Sequence, residues 1–416
     1  MRLFFITGML GVSLLAQTRA NLAAADTSLQ SPAEKKIATA KAAIAKNPKF
    51  AEAWANLALA LSMRARETSN TAFYDEGLRA VDQGFAVDKT SFAVLKSQCW
   101  ILLGKHEFAQ ALGLAKELSK RSGDDLMVYG FLSDANTELG NYKDAEHATQ
   151  WMLDLRPGNT PALTRAAHLR EIFGDPEGAL ELLQMASLQL GAAESENRAW
   201  IVVQMAHLRL AQGAVDDAER LARQALEMYP DYHYALGELA RIRRAQKRYP
   251  EAVTLERKRI ESAPHAENRF TLAQSLWLAG NRQEAREAFA AFERSALAEK
   301  DQADNANHEL IAYYVDYARR PQEALKVARL ELTRRQDFHT LAAYAWALHA
   351  AAQHSQARKQ MQRALSVGVK DAELFRHAAE ISLALKDTES ARAYQAKAAE
   401  LRPRTESARG LSAAGN

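Results

Sequence analysis

The 416-residue sequence predicts an all-α chain, an α-solenoid of about ten helical hairpins, and three observations carry that reading. The first is a phrase in which a turn is followed, usually, by an acidic residue and alanine: GNYKDAEHA, GDPEGALEL, GAVDDAERL, KRYPEAVTL, GNRQEAREA and RRPQEALKV. Aligned on that alanine, the anchors are Gly77, Ala111, Ala145, Ala179, Ala218, Ala252, Ala285, Ala324, Ala357 and Ala391, spaced 34, 34, 34, 39, 34, 33, 39, 33 and 34 residues apart. Such a clock belongs to stacked repeats and not to an ordinary globular domain. The second observation is a pair of flanking columns. Twelve residues before the anchor stand Cys99, Ser133, Ala167, Ala206, Ala240, Ala273, Ala312, Ala345 and Ala379, all small; twelve after it stand Pro157, Pro230, Pro264 and Pro403, with Gly123 and Gly191 in two other units. Small residues let two antiparallel helices approach, and proline or glycine ends the second. Third, apolar residues recur at helical spacing, as in Leu169, Ile172, Leu180, Leu183 and Ala186, and no alternating strand pattern occurs.

The elements follow in order. Met1-Arg2, the apolar run Leu3 to Ala16 and the small residues Thr18 and Ala20 describe a secretory signal over residues 1–20, cleaved near Ala20, with a second candidate cut after Ala25. A retained anchor or a buried helix is the alternative. Pro32 to Lys46 reads as a helix, and the stretch 32–50 is expected to cap the open end of the array, which occupies 51–403. In the first unit Ala58 precedes Gly77 by 19 residues instead of 12, so its turn, around Arg64 to Ala72, is expected to be about seven residues longer. The two 39-residue steps place extra turns near Ala192 to Asn197 and near Glu299 to Asn307, expected as surface loops on one edge. Five residues before the anchor, Gly140, Gly174, Gly213 and Gly280 supply a permissive turn backbone. Residues 404–416 are small and polar and read as a disordered tail.

With its 34-residue period, small-residue column, alanine anchor and closing proline, the chain resembles the tetratricopeptide repeat over residues 51 to 403. The resemblance implies a right-handed superhelix whose concave inner wall is made by the first helix of each unit, a surface such arrays commonly use to bind peptides or proteins. The positions expected to face inward give a candidate partner-binding set: His168, Trp200, His207, Tyr234, Arg241, Arg244, Phe270, Trp277, Tyr313, Trp346 and His349, with Glu171, Gln274, Glu309, Asp316 and His339 beside them. Aromatic rings, imidazoles and arginines are the groups favoured at binding hot spots. The competing reading is that they pack between helices or fill a narrow axis.

Chemistry finds little foothold. No HExxH, CxxC, GxSxG, P-loop or GxGxxG occurs, and the Glu-Ala pairs recur with the repeat period, as solvated helix starts do. The one cysteine, Cys99, sits in the small-residue packing column. His349 and His354 are five apart, a spacing that does not put both on one helical face, so no metal site and no cofactor are predicted. Formal charge is +3, and removing Arg2 and Arg19 leaves 52 basic against 51 acidic residues, which argues against nucleic acid. The strongest basic patch, Arg241 to Arg244 with Lys247, Arg248 and Arg257 to Arg259, is expected to be a solvated face balanced by Glu238, Glu251 and Glu256. Beyond the N-terminal run, no stretch is long and apolar enough for a membrane span. The expected function is a non-enzymatic scaffold or adaptor, periplasmic or secreted, that binds a protein or peptide. A carbohydrate or cell-wall binder using Trp200, Trp277 and Trp346, or an accessory subunit of an envelope enzyme complex, is the alternative.

Overall fold

The computed structural model describes residues 31–191 and 194–401. The predicted signal segment and the predicted tail lie outside the described residues. Helix α1, Pro32–Lys46, opens the described chain. Ten hairpins follow, each a first helix and a second. Hairpins one to five pair Ala51–Thr68 with Ala72–Val87, Phe92–Gly104 with Phe108–Arg121, Leu126–Glu138 with Tyr142–Leu155, Thr160–Ile172 with Pro176–Leu188, and Ser195–Ala211 with Val215–Met228. Hairpins six to ten pair His233–Ala245 with Tyr249–Ser262, Ala266–Leu278 with Arg282–Glu299, Asn307–Tyr317 with Pro321–Leu332, Phe338–Ala350 with His354–Leu365, and Ala372–Ala384 with Thr388–Glu400. The eighth first helix is α-helical only to Ala312 and then widens into a π-helical turn over Tyr313–Tyr317.

The helices begin where side chains can hold their free N–H groups. Ser31 and Glu34 form a reciprocal capping box at α1, and Asp125, Asn159, Asp175, Asp337, Asp371 and Asp387 accept first-turn amides further along. Helix α1 is tied to the first hairpin by Glu67, whose carboxylate accepts from Ser31 Oγ at 2.5 Å and from the Ala33 amide at 2.9 Å.

The alanine anchors Ala111 to Ala357 are all fully buried, and so are nearly all the small residues twelve positions earlier, from Cys99 to Ala345. Each pair sits at the crossing of its two helices, where a larger side chain would push them apart. Cys99 is packed in this column, its thiol donating to the Ala111 carbonyl. Successive first helices touch one another, and each second helix reaches the next hairpin through that hairpin's first helix. First helices therefore line the shorter, inner circumference.

All nine hairpin turns from the second onward place the residue five before the anchor in the left-handed region. His106, Lys247, Arg319, Ala352 and Lys386 adopt it at φ of 57 to 61°, and Gly140, Gly174, Gly213 and Gly280 at 79 to 84°.

The solenoid also closes on itself. The turn of hairpin one meets the loop before hairpin seven, where the His265 imidazole donates to the Ser69 carbonyl. His106, in the second turn, faces Asp304 before hairpin eight at 3.4 Å. In the third, Tyr142 Oη accepts from the Phe338 amide at 2.9 Å and Glu138 pairs with Arg335 at 3.5 Å. The fourth, at Gly174, abuts Gly368 before hairpin ten. The offset is six hairpins every time, so six hairpins make one superhelical turn and hairpins one to four carry the next layer along a continuous seam.

This seam corrects three expectations about the irregular units. The extra residues of the first hairpin do not lengthen its turn. They extend the first helix to Thr68, leaving only Ser69 to Thr71 between helices, and so bring Arg66 against Glu196 and Asn197. The extra residues before hairpin five lengthen its first helix to 17 residues, which is what places Glu196 and Asn197 there; Ala192 and Ala193 lie outside the described residues. Those near Glu299 extend the preceding helix to 18 residues and form the loop that carries Asp304. Each insertion reaches across the gap between layers, where a free surface loop was expected.

Candidate binding surface on the inner wall

Hairpins four, five and six bring four predicted residues into one polar row. Glu171 Oε1 accepts from His207 Nε2 at 2.8 Å, and Glu171 Oε2 lies 3.6 Å from His168 Nδ1. The other nitrogen of His207, Nδ1, accepts from Arg241 Nη1 at 2.8 Å, which fixes the tautomer with its proton on Nε2. Arg241 also donates to Glu238 Oε2 at 2.8 Å. Helical spacing explains the row: residues eleven before successive anchors stack along the axis of the superhelix, and the 39-residue step keeps His207 in that column.

The electrostatics follow from this packing. Desolvation would raise the Glu171 carboxyl, but the hydrogen bonds from His168 and His207 hold it well below the usual carboxylate range. Desolvation would likewise lower His168; Glu171 outweighs it and moves the imidazole above its ordinary value. His168 side chain is 53% exposed and Arg241 44%, so this row is open to water within the superhelix.

Hairpins nine and ten supply facing groups. His339 feels His168 and Glu171 as well as Asp337, and Glu373 feels Arg241, so residues four or five hairpins apart share one axial space. Further along it, desolvation and then Glu267 push Glu309 up to about 7, while desolvation followed by Asp304 does the same to Glu299. Desolvation brings His308 down to about 4.

The remaining predicted residues are placed differently. Phe270 is core, 5% exposed and packed on Phe292 and Phe289, because the widened eighth first helix brings Tyr317 over it. Trp277 is half-buried against Phe289 and Tyr317, with the Arg282 guanidinium 3.9 Å from its ring centre. Tyr313 stacks on Phe289. Trp200 fills the joint between the cores of hairpins four and five, and Tyr234 packs on His233. Arg244 lies 2.8 Å from the buried Glu256. Trp346 is sandwiched between His349 and His377, ring centres 5.0 and 3.8 Å away, and donates Nε1 to Asp316 at 3.0 Å.

Two sequence readings are adjusted here. The basic patch is largely the exposed face expected, with Arg241, Arg248, Arg257 and Lys258 open to solvent and Glu238, Glu251 and Glu256 balancing its arginines, but Arg243 is 2% exposed and forks onto Glu219 of the preceding second helix at 2.5 and 2.7 Å. His349 and His354 do come together, their Nδ1 atoms 3.3 Å apart, because they lie on two helices joined by a tight turn and not on one face. Glu171 follows from the inward spacing, and Glu238 balances Arg241 as the sequence reading of the basic patch expects.

These features define an α-solenoid of stacked helical hairpins with a polar inner wall. Residues 203–267 match the family model described as tetratricopeptide repeat. A similar helical hairpin recurs on both sides of that segment, so the segment resembling the tetratricopeptide repeat is part of one continuous array of hairpins. No curated protein matches it. Among solved structures it is similar to PilW, described as a widely conserved type IV pilus biogenesis factor, at 14% identity and a TM-score of 0.42, covering 49% of this chain and 92% of that one. It is also similar to a human IFIT1 dimer with m7Gppp-AAAA, at 14% identity and a TM-score of 0.49 over 84% of this chain and 81% of that one. A third similarity is to the Cut9 and Hcn1 hetero-tetramer of the APC/C, at 12% identity and 0.44, with 87% and 56% covered.

Proposed function

We propose that the protein is a non-enzymatic scaffold of the cell envelope or the secreted space that holds a protein or peptide partner along its inner wall. The observation that carries this reading is the open row His168, Glu171, His207 and Arg241: three hairpins each contribute a fixed polar group to one solvent-filled surface. Its groups are already oriented by one another, so a partner's backbone amides and carbonyls meet a preorganised set of donors and acceptors. Export is supported by the basic start and the short apolar run that precedes the described residues.

A protein partner is favoured over a sugar because two of the three inner-wall tryptophans offered as stacking platforms, Trp277 and Trp346, are covered, and Trp200 fills a joint between hairpin cores. Trp346 has an imidazole on each face, and Trp277 has a guanidinium on one face and core rings at its edges. Nor does a polyanion suit the arginines, most of which lie against carboxylates.

Affinity capture on the mature chain tests the reading, with His168→Ala beside wild type. The expected outcome is a discrete envelope protein retained by wild type and lost, by about tenfold or more, with the variant. Capture of peptidoglycan fragments instead, or equal retention by the variant, overturns it. N-terminal sequencing of the exported chain is expected to start near residue 21; a chain beginning at Met1 in the cytosol removes the compartment.

A further inference from the structure

We propose that the turn of the ninth hairpin is a site for a divalent late transition metal, gripped by the Nδ1 atoms of His349 and His354. The two residues end one helix and begin the next, and the intervening turn, with Ala352 at φ 60°, folds the chain back so that their rings face each other. The nitrogens stand 3.3 Å apart with ring centres 4.9 Å apart at 54°. Two imidazole nitrogens bound to one tetrahedral ion at about 2.0 to 2.1 Å would be separated by about 3.3 to 3.4 Å, the edge of that tetrahedron.

The neighbours hold one ligand still. His349 lies parallel to Trp346, with an interplanar angle of 5°, and His377 closes the opposite face of that indole at 9°. Trp346 is in turn anchored through Nε1 to Asp316. His349 is thus oriented by a stack that reaches the eighth and tenth hairpins, the kind of support that metal-ligating imidazoles need. Among the described residues no group of three or more His, Cys, Asp or Glu converges on a point, so the chain supplies two ligands and leaves the other positions to water or to a donor on a partner. Neutral imidazole nitrogens select copper, nickel and zinc ions over magnesium and calcium.

The experiment is a titration of the full mature chain with nickel chloride, read by tryptophan fluorescence, with magnesium chloride as control. Nickel is expected to quench, saturably, the contribution of Trp346, one of six tryptophans. Trp346→Phe should abolish the signal while zinc chloride still binds by calorimetry with one site more than in His354→Gln. His354→Gln, half-exposed at a helix start and therefore safe for the fold, should weaken nickel by at least about tenfold. His377→Ala, which loosens the stack without removing a ligand, should retain the site. Equal nickel affinity in wild type and His354→Gln would mean adventitious binding at other histidines only and would overturn the proposal. So would the absence of saturable quenching at millimolar nickel, and magnesium quenching as well as nickel.

Discussion

Gly174 and Gly280 occupy the same place in their hairpins, five residues before the anchor, with φ of 79 and 84°. Their surroundings differ completely. A Cβ on Gly174 would stand 2.2 Å from the Gly368 carbonyl oxygen, and one on Gly140 2.6 Å from that of Gln336, whereas a Cβ on Gly280 meets nothing within 4 Å. Hairpins three and four lie beneath a second superhelical layer; among the described residues no hairpin stands six places beyond hairpin seven. One turn geometry thus serves two tasks, chain reversal everywhere and layer contact only where the array overlaps itself. Chain reversal alone tolerates side chains, as Lys247 and Lys386 show at the same position.

The largest effect expected from this contrast is at Gly174. Gly174→Ala adds left-handed strain and a backbone clash and should destabilise by about 3 to 5 kcal/mol. Gly280→Ala should cost only the strain, about 1 to 2 kcal/mol. Thermal melts give the difference, and small-angle scattering should show Gly174→Ala expanded and Gly280→Ala unchanged. Equal melting temperatures would mean that the layers do not touch in solution.

Arg66→Met is next. It leaves Glu196, whose side chain is 4% exposed, with only the Tyr232 hydroxyl at 2.6 Å, and should cost about 2 to 3 kcal/mol. Arg165→Met breaks a bridge to Asp134 at 2.5 Å between adjacent hairpins within one layer, where Asp134 is 37% exposed, and should cost about 1 kcal/mol or less. If the two variants melt together, the seam contributes no more than an ordinary hairpin joint.

How much of this the sequence announced depends on range. The hairpins were legible because each is a local object: the small residue, the left-handed turn and the anchor fall within 13 consecutive residues, and nine copies repeat the message. The row at Glu171, His207 and Arg241 was half legible, since it needs only the register of neighbouring units. The seam was not, because four to six hairpins separate its partners. A departure from the period, such as the 39-residue steps, marks where an extra structure sits but not what it touches. Phe270 failed for a related reason: its inward register is regular, and the π-helical turn that buries it belongs to another hairpin. His349 and His354 failed because helical spacing rules do not apply across a turn.

Acid should open the seam before it melts the hairpins. His233 is 2% exposed, and its Nε2–H donates to the Arg66 carbonyl at 3.0 Å. Desolvation lowers it to about 4, with Arg259 and His265 adding repulsion. Its folded value lies below the unfolded one of about 6.5, so the unfolded chain binds the proton first. The stability it contributes is complete above pH 6.5 and falls as pH drops from there towards 4, by about 1 to 2 kcal/mol. Scattering at pH 7 and pH 4.5 should show expansion in wild type, and His233→Gln should shrink that change. A pH-independent radius would place the acid-sensitive step elsewhere.

The smallest effect tests the axial space itself and has the opposite sign. Glu309 is half-buried, and desolvation, then Glu267 and Glu299, raise it to about 7 against the help of Arg335. Its folded value therefore exceeds the unfolded one, and the chain loses stability as pH rises from about 4.5 to 7. Glutamine reproduces the protonated form, so Glu309→Gln should match wild type near pH 4.5 and melt slightly higher above pH 7. The gain should be about 1 kcal/mol, because water within the axis screens a half-exposed carboxylate. Melts across that range decide between two pictures of the axis. A gain that grows with pH means that the carboxylates of hairpins seven and eight crowd one another inside an enclosed superhelix; a flat difference means that they face open solvent and the layers stand apart.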